Sequence, residues 1–229
     1  MSKEDEELIK EKVLRGFNLL EGKEIPNVLT IRTYFSPVEA AESEFKEVLQ
    51  IDSQNYDALV GLGRCCSYDP QKYDYAISVF EQAIKVKPFE ATAHYYLGSL
   101  FLRMGERKLT EEFFEKAINY FQKADKLDYK PKTPLYNNLG TALFRIEKYE
   151  EAIFYFENAA KYAEEEKRWL PSIFFLAAEA CEKLSRNLDA IRWYKLSIRP
   201  GLGIPGHKKQ VNAKIRQLKK IREQKDTKD

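Results

Sequence analysis

Histidines, thiols and clustered carboxylates do most chemistry near neutral pH, and in these 229 residues they are few and scattered. His94 stands at the start of an apolar helical pattern, where its ring serves packing. His207 lies in a Gly/Pro-flanked junction with no Cys or His beside it. A metal centre needs several ligands at a recognisable spacing, and none appears, so neither metal nor cofactor is expected. Cys65, Cys66 and Cys181 fall within apolar helical patterns and read as core thiols. Their odd number and the lack of a disulfide framework favour a reducing compartment, with the cytoplasm as the expected location. "GLGIPG" at 201–206 has no strand before it and is broken by proline, so it reads as a linker, not a phosphate-cradling loop. The acidic run Glu164, Glu165, Glu166 reads as a solvated helix end. A non-catalytic chain is expected.

What remains is binding. A net charge of +2 argues against a protein built to hold nucleic acid, which shows a strong basic excess. The start, "MSKEDEELIK", is acidic and lacks the apolar core of a signal peptide, and no apolar run approaches membrane-spanning length. Ten glycines and nine prolines amid abundant Glu, Lys, Ala and Leu favour helices.

The elements that would position a binding surface show in the chain's self-similarity. Leu62-Gly63, Leu97-Gly98 and Leu139-Gly140 recur, with Ala177-Ala178 in the corresponding place of a fourth copy. The small residues are separated by 35, 42 and 38 positions. A second signature follows each: Ala76, Phe80, Ala83; Ala117, Phe121, Ala124; Ala152, Phe156, Ala159; and Ala190, Tyr194, Ser197. Ala41, Phe45 and Val48 supply an extra upstream copy. Residues three, four and seven apart share a helical face, so Tyr136, Leu139, Gly140 and Leu143 form one stripe. Glycine inside a helix costs about 1 kcal/mol relative to alanine. Close approach of a second helix, with an aromatic ring beside the glycine, offsets that cost.

This pattern resembles the tetratricopeptide repeat over roughly residues 37 to 199, with Pro88 matching the family's closing proline. The resemblance implies an all-α fold, a right-handed superhelical solenoid of antiparallel helix pairs. It divides the chain into a degenerate N-terminal helix pair with an inserted connection (1–53), four repeat-like pairs (54–199), and a linker, basic capping helix and charged tail (200–229). "SPVE" supplies the start of a helix, with Ser36 as N-cap, Pro37 in the first turn and Glu39 completing a capping box. Seven extra residues between Gly98 and Ala117 point to a lengthened helix through "LTEEFFEKAINYFQKADKL". Phe114 and Ala117 offer a second register there, so the register over 108–128 stays open.

The family's concave face is lined by the first helix of each pair, one residue off the packing stripe. Carried onto this sequence, it gives Val60, Arg64 and Tyr68; Tyr95, Ser99, Leu102 and Arg103; Asn137, Asn138, Thr141, Phe144 and Arg145; and Phe175, Glu179 and Lys183. Tyr, Phe, Arg and Asn mixed on one surface suit a protein partner, a peptide or helix segment. The clamp by which some repeat domains hold acidic chaperone tails is matched only at Asn138 and is not expected. Residues 206–229 carry nine Lys or Arg against three Asp or Glu. Val211, Ile215 and Leu218 form a narrow apolar stripe there, as a helix covering the last repeat requires. Self-assembly, or contact of this basic helix with nucleic acid or a membrane surface, is the alternative reading.

Overall fold

A computed structural model describes residues 1–23, 36–167, 171–198 and 207–226. Among the described residues there are α-helices and one short 3-10 turn, with no strand. The helices are α1 (Lys3–Leu20), α2 (Pro37–Ile51), α3 (Tyr56–Cys66), α4 (Tyr73–Val86), α5 (Ala91–Lys108) and α6 (Glu111–Lys126). They continue with α7 (Lys132–Arg145), α8 (Tyr149–Glu165), α9 (Pro171–Lys183), α10 (Asn187–Ser197) and α11 (His207–Asp226). The fold is all-α, built from antiparallel pairs: α1 packs on α2, α3 on α4, α7 on α8 and α9 on α10. The connection up to residue 35, the "RPGLGIPG" junction and the last three residues lie outside the described residues.

Local chemistry sets several helix starts. Ser2 accepts from the Asp5 amide while Asp5 reaches back to the Ser2 amide, a reciprocal cap on α1. Ser36 accepts from the Glu39 amide with Pro37 in the first turn of α2, and Asn55 caps α3 through the Ala58 amide. Asp69 accepts from the Gln71 amide to start the turn Pro70–Lys72 between α3 and α4. The start of α7 is capped from a distance. Both carboxylate oxygens of Glu166 accept from its first amides, Lys132 N at 2.7 Å and Thr133 N at 3.2 Å. Glu166 is therefore not simply part of a solvated helix end; unpaired amide donors at a helix N-terminus attract a carboxylate.

Contacts divide the chain into two units, Met1–Leu100 with Lys126–Asp128, and Phe101–Asp125 with Tyr129–Asp229. In the first, the fully buried ring of Phe45 on α2 lies between two helices. A β-carbon added to Gly16 on α1 or Gly61 on α3 would fall 2.6 Å and 2.3 Å from its Cζ. Gly63 meets Phe80 of α4 in the same way, at 2.6 Å from Cε1.

The second unit repeats this contact at Gly140 with Phe156 and at Gly105 with Phe114. Gly105, preceded by Met104, performs near the end of α5 the packing that Gly63 performs near the end of α3. The seven extra residues lengthen the first helix of this pair, α5, to 18 residues against 11 in α3. They do not mainly lengthen the second, as expected from the sequence; α6 has 16 residues and α4 has 14. Phe114 and Phe121 are both buried, so both registers contribute to one long pair. At the far end, Val211, Ile215 and Leu218 of α11 are buried in a cluster with Ala178, Cys181, Ile191 and Tyr194.

Candidate partner-binding face

The first helices of successive pairs touch one another directly, so their side chains share one face within each unit. In the first unit Arg64 of α3 is the link. Its guanidinium carbon lies 5.5 Å from the centroid of Phe17 on α1 and 4.7 Å from that of Tyr96 on α5. Both distances are within cation–π range, and the site is partly exposed. Tyr96 stacks on Phe80 at 6.5 Å and meets Tyr95 edge-on at 5.2 Å. Tyr95 is itself buried, with Ser99 Oγ donating to its carbonyl oxygen. Val60 is buried, while Tyr68, just past α3, is 57% exposed.

In the second unit the links are polar. Arg145 of α7 pairs with Glu106 of α5 at 3.0 Å. Ser172 of α9 donates to Asn137 Oδ1 of α7 at 3.5 Å, and Asn137 Nδ2 donates to Asn138 Oδ1 at 3.4 Å. Both asparagines are half-buried. An asparagine amide has two N–H donors, so these long contacts leave Asn137 able to donate again. Thr141 is buried and returns its hydroxyl to the Asn137 carbonyl; Leu102 is buried, and Arg103 is exposed. Phe144 packs edge-on against Tyr149 at 5.5 Å.

On α9 the predicted residues meet α11. Phe175 lies 4.4 Å from the His207 ring and 5.6 Å from that of Tyr194. Lys214 bonds to Glu179 at 3.1 Å, Glu182 at 3.2 Å and the Tyr194 hydroxyl at 2.9 Å. That hydroxyl donates to Glu182, and burial together with the adjacent carboxylate pushes its pKa well up. An open cavity of about 530 Å³ beside this cluster is lined by Phe144, Glu179, Glu182, Lys183 and Lys214.

Of the residues expected from the sequence, Arg64 is tied to Phe17 and Tyr96 within the first unit, and within the second Asn137 is tied to Asn138 and Thr141 while Arg145 is tied to Glu106. Phe175 and Glu179 are engaged by α11. Sequence reasoning did not foresee Phe17, Glu106 and Lys214 as the neighbours of Arg64, Arg145 and Glu179. Lys214 left a trace, since it directly precedes Ile215 in the apolar stripe; Phe17 lay in a pair too degenerate to align.

His94 and the three cysteines lie in the packed interior. His94 is 7% exposed, its Nε2 lying 3.5 Å from the Pro88 carbonyl. All three thiols are buried; burial pushes Cys66 and Cys181 up to about 11 and Cys65 further. Among the described residues no group of three or more His, Cys, Asp or Glu could hold a metal ion, and no helix is long and apolar enough to cross a membrane.

Comparison with known proteins agrees with this architecture. Two tetratricopeptide repeat models match, over residues 89–165 and 137–201. Anaphase-promoting complex subunit 6 of Arabidopsis thaliana is 27% identical over 161 residues, spanning 69% of this chain and 28% of that protein. Interferon-induced protein with tetratricopeptide repeats 2 of Mus musculus is 29% identical over 127 residues, 49% of this chain and 26% of that protein. The chain therefore spans about a quarter of the length of these curated relatives. Among solved structures, Pseudomonas aeruginosa PilF superposes with a TM-score of 0.73 at 20% identity, over 98% of this chain and 89% of that one. YrrB, described as a TPR protein with an unusual peptide-binding site, has a TM-score of 0.63 at 17% identity, over 78% and 84%. At these identities the structural likeness concerns the fold.

Proposed function

The chain is a tetratricopeptide-repeat protein, and from that premise we propose that it is a non-catalytic adaptor or scaffold. It holds a peptide or helix of a partner protein on the face that first helices form within a unit. The observation carrying this reading is the direct contact between successive first helices, Phe17–Arg64–Tyr96 in one unit and Glu106–Arg145 with Asn137–Ser172 in the other. Those contacts fix aromatic, guanidinium and amide groups in place before a partner arrives, which reduces the ordering cost of binding. Asn137 and Asn138 suit the backbone of an extended segment, and Arg64 and Arg103 suit its carboxylates or carbonyls. The peptide-binding site named for YrrB is a fold-level analogy in support.

Affinity capture from native extract tests the reading. Wild type runs beside an Asn137→Ala/Asn138→Ala variant and a control, Phe154→Ala, altered at an exposed residue of the second helix α8. A protein held by wild type and the control but lost from the asparagine variant is the expected result. Equal capture by all three, with folds matched by circular dichroism, contradicts it.

A further inference from the structure

We propose that copies of this chain associate with one another, the outer face of α1 in one copy docking on the outer face of α11 in the next. Both helices are buried along one side only. In α1 the inward residues are Ile9, Gly16 and Leu19. Glu4, Glu7, Leu8, Glu11 and Leu14 form an exposed stripe along its first four turns, with Leu14 63% and Leu8 40% exposed. Lys3 and Lys10 flank the stripe, but Lys12 and Arg15 are drawn away to Glu44 and Glu47 of α2. In α11 the inward residues are Val211, Ile215 and Leu218. The outward stripe is Lys209, Ala213, Arg216, Gln217 and Lys220, with Glu223 at its edge as the opposing charge. A shallow cavity of about 570 Å³ runs along this stripe, lined by Ala213, Arg216, Gln217, Lys219, Lys220 and Glu223.

Charge complementarity selects the occupant. Glu4 and Glu11 stand seven residues apart, as do Lys209 and Arg216, so each pair spans about 10.5 Å along its helix. Two helices laid side by side then match carboxylate to cation at the same pitch. Leu8 and Leu14 bring apolar area to the small side of Ala213. The described outer face of α11 has no aromatic ring on which a base would stack. Its apolar stripe is turned inward and is not available to enter a lipid interface. A second copy fits what is displayed better than nucleic acid or membrane. Two different faces meet, so the contact does not by itself stop at two copies.

Analytical ultracentrifugation of the whole chain tests this, from about 5 to 200 μM in about 50 mM salt and again in about 500 mM, where screening removes exposed charge pairs. The mass should rise with concentration at low salt, by at least half across the range, and return to that of one chain at high salt. Two charge-reversed chains, Glu4→Lys/Glu7→Lys/Glu11→Lys and Lys209→Glu/Arg216→Glu/Lys220→Glu, should each stay single and should associate when mixed. A wild type of one-chain mass throughout overturns the proposal. So does a mixture that fails to associate, or association that persists in either reversed chain alone. Parallel titration with anionic lipid vesicles and poly(U) RNA covers the other occupants; binding of either by a wild type that remains single gives the α11 face to that ligand and not to a second copy.

Discussion

Adding a β-carbon to Gly140 places it 2.8 Å from Phe156 Cε1 and 3.2 Å from the Ala152 carbonyl oxygen. The ring can shift, but the backbone oxygen cannot without moving α8. Gly140→Leu is therefore expected to destabilise by about 1–3 kcal/mol, read by thermal or urea denaturation; an unchanged midpoint would count against the packing described. The same geometry explains why this contact was legible beforehand at Gly63 and Gly140 and not at Gly105. At the first two, Leu-Gly heads a repeat of ordinary length. At Gly105 the preceding residue is Met104, and seven inserted residues preserve helical phase, so Phe114 and Phe121 satisfy the pattern equally. Only the position of the turn decides, and it is marked by Leu109 at φ 53°, a left-handed conformation that glycine usually signals.

Between elements, charged side chains tie neighbouring segments together where the apolar pattern gives no hint. Glu42 of α2 is buried and accepts from Lys46 at 2.6 Å and from Lys72, in the turn before α4, at 2.8 Å. Burial works against the charged form, but the hydrogen bonds from Lys46 and Lys72 outweigh it and hold the carboxyl below its usual value near 4.5. A depressed pKa gives stability that is fully present above the unfolded value and lost as pH falls through the folded one. Glu42→Gln should lower the melting temperature at pH 7, by the equivalent of about 1 kcal/mol given the exposure of both lysines. The gap to wild type should close below pH 4.5, and a gap that widens on acidification would contradict the assignment. Interactions of this kind escape sequence reading because 30 residues separate Glu42 from Lys72, and 34 separate Glu166 from the Lys132 amide that it caps. Helix phase and composition carry no information about which distant charge arrives.

For the whole molecule, the all-α repeat architecture follows from the tandem small-residue and aromatic signatures, and it was the most legible property. The proposed binding face was less so. Position along a first helix says which side a residue faces, but not whether a neighbour already engages it. Phe175 and Glu179, expected on the open face, are taken up by His207 and Lys214 of α11. Tyr95 is buried beside Tyr96, which packs against Arg64 in its place. The most direct measurement is hydrogen–deuterium exchange of the chain with and without the protein that it captures. Slowed exchange is expected in α3, α5 and α7, with α4 and α8 unchanged. Protection confined to α4 and α8 would contradict it, because the partner would then sit on the second helices and not on the first.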